Sequence, residues 1–306
     1  MNTAKKAYCY AVGATICWST VASAFKLTLK SLSNDIPVML FWSSFFSLIV
    51  IGTAVVVMKK WPLVMASDVR FLLRSAGMGF LNPFLYYLVL FKAYSLLLGQ
   101  QAQPLNYTWP ILLTFFSAVV FKQKILKLQW LGLFLGLAGI AVISTRGRFL
   151  EWQILNLHGV VLALSSGLIW SVYWILNKRD SRPAVIKLGL NGFFGFVYLL
   201  LLVLAVRGTI ELPPLQALSG TLWIGMFEMG ISFVFWMKAL ELSRNTAKMS
   251  SIVYMSPFLS LLMLHRFAGE PFLFSSLLGL ILIIAGIVFQ KDKELSGQIR
   301  RDNNKY

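Results

Sequence analysis

Ten apolar stretches, each about as long as a membrane-crossing helix, fill nearly all of this 306-residue chain. An α-helix rises about 1.5 Å per residue, so about 20 apolar residues cross a hydrocarbon core of about 30 Å. The stretches fall at residues 7–26, 36–58, 75–96, 102–121 and 128–145, then at 158–176, 188–206, 217–240, 249–267 and 272–290. Pro37, Pro62, Pro183, Pro213, Pro214 and Pro271 lie at or near the breaks, where proline is tolerated. The short connections leave no room for a soluble domain. The expected fold class is therefore an all-α integral membrane protein with ten transmembrane helices. The polar stretch from Lys291 to Tyr306 is expected to be a disordered cytoplasmic tail.

Composition supports the bilayer as the solvent. Hydrophobic residues make up 58% of the chain and charged residues 13%, against about a quarter charged in soluble domains. Mean hydropathy is +0.74. The net charge of +17 suggests nucleic acid at first sight. The basic residues, however, stand in short clusters between apolar runs, as cytoplasmic loops require. With the N-terminus placed in the cytoplasm, twenty of the 28 Lys and Arg residues fall on that side. Only Lys26, Lys30, Arg146, Arg148, Arg207 and Arg266 fall outside, and Lys92 and Lys238 sit near helix ends. Both termini are expected in the cytoplasm, in a bacterial-type inner membrane.

Several function classes drop out. Cys9 and Cys17 share the first stretch and support neither a disulfide framework nor a metal spacing. His158 and His265 lie at stretch ends without a Cys or carboxylate cluster beside them. No metal or other cofactor is expected. Paired acids or a nucleophile with a base, which a membrane enzyme needs, are missing from the apolar stretches. Nothing suggests the charge rings or carbonyl filters of a channel. Ala22-Ser23-Ala24 looks like a signal-peptidase site, but the first stretch takes part in an internal repeat and is read as a retained helix.

That repeat relates the two halves, 7–145 and 157–290. Ile16-Cys17-Trp18-Ser19 answers Leu168-Ile169-Trp170-Ser171, and a lysine lies eight residues beyond each Trp, Lys26 and Lys178. Phe91-Lys92-Ala93 answers Met237-Lys238-Ala239, and Pro110 answers Pro257. Twenty-two residues past each proline comes a glycine, Gly132 and Gly279; Ala138-Gly139-Ile140 then matches Ala285-Gly286-Ile287. Gln123 stands opposite Glu270. Five helices per half is an odd number, so the second copy must be inverted, a construction that secondary transporters use.

These features resemble the drug/metabolite transporter superfamily, in its ten-helix EamA-type branch, over about residues 8 to 290. Trp18-Ser19-Thr20, the run Pro104-Leu105-Asn106-Tyr107-Thr108-Trp109-Pro110 and Gly269-Glu270-Pro271 carry the resemblance. The Asn-Tyr-x-Trp-Pro run is similar to the fourth helix of bacterial aromatic amino-acid exporters of the YddG type. The resemblance implies export of amino acids or related metabolites through a cavity between the halves. Nucleotide-sugar, purine and drug carriers, and carriers working as importers, share the architecture. The acidic position of the motif is kept only once, as Glu270 and not at Gln123.

Glu228 is the strongest functional candidate, as the one acid deep in any stretch. A charge there costs about 2.5–3.5 kcal/mol on insertion scales, so such residues usually face a wet cavity or a partner. It is placed to bind a substrate amino group or to take up a proton for coupling; the structural alternative is one interhelical hydrogen bond. Its counterpart in the third stretch is the neutral Asn82, next to Pro83. Trp18, Tyr86, Asn106, Tyr107, Trp109, Trp170 and Tyr254 are the candidate cavity walls, because aromatic rings with polar tips suit an amphipathic solute. Tyr87, Tyr173, Trp174 and Trp236 belong to the same aromatic set, with interfacial anchoring as the alternative.

Pro110 and Pro257 are candidate hinges. Gly132, Gly136, Gly139, Gly279 and Gly286 form small-residue faces for packing within the chain or for a homodimer. Lys26 and Lys178 read as snorkelling lysines, and Gln100, Gln101 and Gln103 as lining the outer mouth. The expected partners are a small-molecule substrate and the bilayer, with no nucleic acid, in a monomer or homodimer.

Overall fold

The structure, a computed structural model, describes residues 3–112, 115, 127–148, 156–178, 180–242 and 252–303. All regular elements among them are helical: α1 Thr3–Ser31, α2 Ile36–Val57, α3 Trp61–Met65, α4 Val69–Gly79, a π-helical turn Phe80–Leu85, α5 Tyr86–Leu96 and α6 Gly99–Asn106. Then come α7 Lys127–Ser144, α8 Leu157–Lys178, α9 Ala184–Arg207, α10 Leu215–Phe227, α11 Ile231–Leu242, α12 Ser256–Ala268 and α13 Phe274–Asn303.

Local chemistry sets the ends. Asp35 caps α2 by accepting from Val38 N at 3.2 Å, and Asp68 caps α4 by accepting from Phe71 N at 2.8 Å. Pro37 and Pro62 occupy the first turns of α2 and α3, where no N–H is needed. Gly208 and Gly269 close α9 and α12 with φ of 73° and 67°, a left-handed conformation that glycine adopts without a Cβ clash.

Among the described residues, five helical stretches are long and apolar enough to cross a membrane: Lys5–Ser31, Ile36–Val57, Leu157–Asn177, Ala184–Arg207 and Leu215–Ala239. Trp130–Ser144 and Phe274–Phe289 are shorter apolar helices. Large apolar side chains point outward, among them Phe134, Leu137, Leu201, Leu215 and Phe274. A water-soluble protein cannot present so much apolar surface, and lipid covers it.

Three expectations are revised. The third stretch is not one helix but α4 and α5 joined by the π-helical turn. The fourth begins at Gly99, and its residues 113–114 and 116–121 lie outside the described residues, as do Lys122, Gln123, Lys124, Arg179, Arg244 and Lys248. The stretch from Lys291 is no disordered tail: α13 runs on to Asn303, because its Lys, Asp, Glu, Gln and Arg residues are ordinary helix formers and no proline stops it.

Each half's first long helix packs into the other half: α1 against α10, α11 and α12, and α8 against α5 and α6. α2 packs on α9 and α10, and α9 in turn on α4 and the π-helical turn. Two glycines permit matched close approaches. A Cβ on Gly79 would meet Asn191 O at 2.5 Å, Gly195 N at 2.9 Å and Phe194 Cβ at 3.0 Å. A Cβ on Gly225 would meet Ser43 O, Phe46 Cβ at 2.7 Å and Ser47 N at 3.0 Å. The same three atoms, in the same i, i+3, i+4 spacing, receive each glycine.

α7 and α13 pack through the small-residue faces. A Cβ on Gly139 would meet Gly279 O at 2.6 Å, and one on Gly286 would meet Gly132 O at 2.5 Å. Gly132 answers Gly279 in the repeat, and Gly139 answers Gly286. Exchanging counterparts turns the Gly139–Gly279 contact into the Gly286–Gly132 contact. The glycine faces are used within the chain.

Candidate functional site

Breaks in four of the expected spans converge near the middle of the fold. In the third, Asn82 leaves helical geometry at φ −151° and ψ 121°. The residue before a proline is pushed to extended backbone, and Pro83 also removes a donor from the ladder. The eighth breaks at its counterpart, Glu228-Met229-Gly230, between α10 and α11. The fourth breaks at Tyr107-Thr108 and the ninth at Tyr254-Met255. Pro110 and Pro257 therefore do not bend continuous helices; each sits in the first turn of a helical segment that resumes after a break.

Freed backbone groups find partners at these breaks, as they must in lipid. Ser232 Oγ donates to Glu228 O at 2.8 Å, and Ser47 Oγ donates to Met229 O at 2.9 Å. Ser171 Oγ shares its proton between Trp109 O and Gly167 O in its own helix, both at 2.8 Å.

Glu228 stands at the centre, half-buried, and its Oε1 accepts from Tyr87 OH at 3.0 Å. From Tyr87 a chain of ring contacts leads on: Tyr86 on Tyr87 at 4.7 Å, Tyr86 on Trp170 at 4.7 Å, and Trp170 stacked on Tyr173 at 5.6 Å. Phe233 joins Trp170 to Trp18, at 6.0 Å from each.

Around this cage runs a neutral hydrogen-bonded shell. Tyr86 OH donates to Asn106 Oδ1 at 3.3 Å, and Asn106 Nδ2 donates to Ser166 Oγ at 2.9 Å. Tyr107 OH and Ser256 Oγ share a hydrogen bond at 2.6 Å, which links the fourth and ninth spans at their breaks. Gln103 Nε2 donates to Ser260 Oγ at 2.9 Å, and Ser260 Oγ donates to Ser19 O at 2.7 Å.

Beside the cage lies a small cleft of about 30 Å³, room for one water-sized group. Asn82, Pro83, Tyr87, Tyr173, Asn191, Ser47, Met229 and Phe233 are among its walls. Asn191 Nδ2 donates to Tyr173 OH at 3.3 Å. Asn82 Oδ1 and Asn191 Oδ1 are buried without a hydrogen-bond partner among the described residues.

Of the sequence candidates, Glu228, Tyr86, Trp170 and Trp18 come together in the cage, and Asn106 joins it through Tyr86. Tyr107, Trp109 and Tyr254 sit at the fourth and ninth breaks, partly buried against the core. Four residues carry more of the site than sequence reasoning gave them: Tyr87, which holds Glu228, and Asn82, Asn191 and Tyr173, which line the cleft. Asn191 had a readable signal, an amide inside an apolar stretch, where polar groups are costly.

The glutamines do not line an outer mouth. Gln100, Gln101 and Gln103 are buried. Gln100 Nε2 donates to Pro271 O at 2.6 Å and its Oε1 accepts from Leu273 N at 3.0 Å, while Gln101 Nε2 donates to Ile143 O at 3.3 Å. Lys26 does not snorkel; its Nζ donates to Tyr94 O at 2.9 Å and Leu97 O at 3.0 Å. These are the open carbonyls at the end of α5. Just beyond, the N-terminus of α6 is capped by Glu270, whose oxygens accept from Gly99 N at 2.7 Å and Gln100 N at 3.0 Å. Lys26 and Glu270 lie 3.8 Å apart. The elbow between α5 and α6 is thus held by a cation at a helix C-terminus and an anion at a helix N-terminus. The Gly-Glu-Pro motif has a structural task here. The side chain of Lys178 lies outside the described residues.

At the loop between α8 and α9, Asp180 is buried and accepts from Arg182 Nη2 at 2.6 Å, with Arg74 Nε at 3.6 Å. Burial pushes its carboxyl up, but the hydrogen bonds and charge of Arg182, with Arg74, overcome this and hold it below the ordinary value.

A family model described as the EamA-like transporter family matches residues 5–145 and 157–290. The chain is 27% identical over 190 residues to the uncharacterized transporter YvbV of Bacillus subtilis (strain 168), spanning 60% of either chain. It is 25% identical over 286 residues to the uncharacterized inner membrane transporter YedA of Escherichia coli (strain K12), covering 81% of this chain and 86% of that one. It is 25% identical over 187 residues to the aromatic amino acid exporter YddG of Ancylobacter novellus, covering 58% of this chain and 62% of the relative. A solved structure titled only as the crystal structure of a protein matches with a TM-score of 0.62 at 22% identity, over 94% of this chain and 96% of that one, which bears on the fold alone.

Proposed function

The chain belongs to the EamA-like transporter family, whose members are transporters and not enzymes, and from that premise we propose that it is an alternating-access carrier exporting amino acids, aromatic ones among them. Family membership implies a small-molecule substrate and a membrane setting. The aromatic amino-acid reading leans on the exporter YddG among its relatives and on the ring-lined centre. The observation that carries the proposal is Glu228, held by Tyr87 inside an aromatic cage at the meeting of interrupted spans. Interrupted helices around a central ionisable group are how secondary transporters build a binding site.

In this reading the ten spans form two inverted five-helix repeats, 7–145 and 157–290, followed by a cytoplasmic segment 291–306. Both termini face the cytoplasm and the protein lies in the inner membrane. The matched environments of Gly79 and Gly225, and the crossed contacts of α7 and α13, favour a two-fold relation between the halves. The transporting unit is the single chain, because the cage and cleft lie within it. Pro110 and Pro257 follow the breaks of the fourth and ninth spans and act as hinges. Glu228 binds the substrate amino group or takes up a coupling proton.

Counterflow into liposomes tests the carrier. Purified protein is reconstituted and loaded with unlabelled solute, and uptake of labelled tryptophan, phenylalanine, threonine, cysteine and one nucleoside is followed. Saturable exchange of the aromatic members is expected. A flat response across the panel, with folded protein, removes the amino-acid reading. Glu228→Gln should abolish the pH dependence of transport; an unaltered profile rules out proton coupling through this residue.

A further inference from the structure

The connection between α2 and α4 carries a helix that its counterpart lacks. In the second half, α9 ends at Arg207 and α10 begins at Leu215, and residues 208–214 between them hold no lysine or arginine. In the first half, residues 58–68 hold Lys59, Lys60 and the whole of α3. Lys59 turns the chain out of α2 with a left-handed φ of 55°, and Pro62 stands in the first turn of α3.

α3 is fixed in place yet uncovered. Val64 packs with Leu72 of α4 against the buried Ile51, Val55, Val185 and Leu190, at the end of α2 and the start of α9. No residue of α3 is buried. Trp61 is 52% exposed, Met65 71% and Val69, at the start of α4, 71%. Lys59 and Lys60 precede this apolar surface and Arg70 follows it. The side chains of these three make no hydrogen bond or ion pair among the described residues.

The other charges nearby are engaged within the fold. Asp68 caps α4. Arg74 is held by Asp180 and Leu176 O, Arg182 by Asp180, and Lys187 by Asn177 O and Asp180 O. At the counterpart connection Arg207 pairs with Asp35, so that side offers an anion no free cation. An exposed Trp among unpaired cations at the end of a span matches the headgroup layer of a bilayer. Indole rings lie at that level, and lysine and arginine meet phosphate through charge-assisted hydrogen bonds.

We propose that α3, with Lys59, Lys60 and Arg70, is a docking surface for anionic phospholipids, the cations holding lipid phosphates while Trp61, Leu63 and Met65 enter among the chains. The inference goes beyond the carrier reading and does not depend on the solute. It uses the topology given there, which turns this end towards the cytoplasmic leaflet, where anionic lipids attract basic segments beside the spans. Residues 66–68 alone separate α3 from α4, so bound lipid holds the base of the broken third span.

The test offers the full-length protein, in a neutral detergent, equimolar phosphatidylglycerol and phosphatidylcholine with the same chains. Retained lipid is counted by native mass spectrometry. Phosphatidylglycerol is expected to be retained in preference, and added salt should reduce the preference. Lys59→Gln, Lys60→Gln and Arg70→Gln should each weaken the tightest phosphatidylglycerol about fivefold, the equivalent of about 1 kcal/mol per basic residue. Thermal unfolding without lipid checks that these variants keep their fold. Lys30→Gln with Arg266→Gln removes two exposed cations at the opposite end and should leave the preference unchanged. Equal retention of the two lipids, an undiminished preference in the folded triple variant, or an equal loss in the opposite-end control overturns the proposal. So does displacement of phosphatidylglycerol by inorganic phosphate at equal concentration. None of these readings involves transport, so their failure leaves the carrier reading intact, and a failed counterflow leaves the lipid surface intact.

Discussion

Replacing Gly225 by alanine probes the packing that brings the broken eighth span against α2. The added Cβ would meet Ser43 O, Phe46 Cβ at 2.7 Å and Ser47 N at 3.0 Å. Two of these atoms are backbone, so no rotamer change relieves the clash and α2 itself must shift. Overpacking of this kind costs about 1–3 kcal/mol, while the gain from removing a helical glycine is about 0.5–1 kcal/mol. The expected net loss is about 1–2 kcal/mol. Gly79→Ala meets the same three atom types on α9 and should lose a similar amount. Gly77, two residues earlier in the same helix as Gly79, is exposed and has nothing within 4 Å of an added Cβ. Gly77→Ala should therefore stabilise by about 0.5–1 kcal/mol. Thermal unfolding of the three purified variants in one detergent, followed by tryptophan fluorescence, reads the difference. At about 2–4 °C per kcal/mol, Gly77→Ala and Gly79→Ala should separate by several degrees. If Gly225→Ala unfolds with Gly77→Ala, the close approach to α2 is wrong. If Gly79→Ala and Gly225→Ala differ as much from each other as from Gly77→Ala, their equivalence is wrong.

Three further outcomes are expected. Glu270→Ala strips a charged acceptor from the N–H groups of Gly99 and Gln100 and should cost about 2–3 kcal/mol in thermal unfolding; Glu270→Gln keeps one acceptor and should recover about half, and a silent Glu270→Ala would refute the cap. Asp180→Asn should cost about 1–3 kcal/mol at neutral pH by loosening the joint with Arg182 and Arg74. Because the folded state holds this carboxyl below its ordinary value of 3.8, its contribution is present above that value and lost as pH falls through the lower, folded one; the stability gap to the variant should stay constant from pH 7 to 5 and close only in stronger acid. Pro110→Ala combined with Pro257→Ala should slow counterflow while leaving substrate affinity within about threefold, and unchanged rates would remove the hinge role.

The apolar periodicity made the all-helical membrane fold legible, since little but a bilayer accommodates runs of that length. Glu228 and its neutral counterpart Asn82 were also legible, because a polar residue far from either end of an apolar run has few structural excuses. The breaks were not. Pro83, Pro110 and Pro257 signal departures from helical geometry, but whether a proline kinks a helix or restarts one depends on what satisfies the neighbouring carbonyls. Here Ser171 serves Trp109 O from another helix. Lys26 was misread for a related reason. A lysine at the end of an apolar run usually reaches for the membrane surface, and only the tertiary fold brings the open carbonyls of Tyr94 and Leu97 within its range. The buried glutamines deceived in the same way: their partners lie in the loop before α13 and at the end of α7, distant in sequence.

Under the proposed two-fold arrangement, what the halves share and what they do not share have different consequences. A carrier must populate two arrangements, and a differential free energy of about 5.5 kcal/mol moves an equilibrium from 1:99 to 99:1. Contacts that recur in both halves cancel in that difference. The glycine approaches do so: Gly79 on α9 repeats Gly225 on α2, and Gly139 on Gly279 repeats Gly132 on Gly286. The bias between arrangements must then come from positions where the halves differ. Two stand out, Asn82 against Glu228 and Gln123 against Glu270. Glu270 holds the start of α6 with both carboxylate oxygens, and an amide side chain carries one acceptor oxygen and no charge. At the centre, a second carboxylate in the place of Asn82 would add a second buried charge to that of Glu228, which a low dielectric penalises, whereas the neutral amide adds none. The symmetry is kept in the backbone packing that must exchange, and broken where charge has to select a single ligand and a preferred resting side.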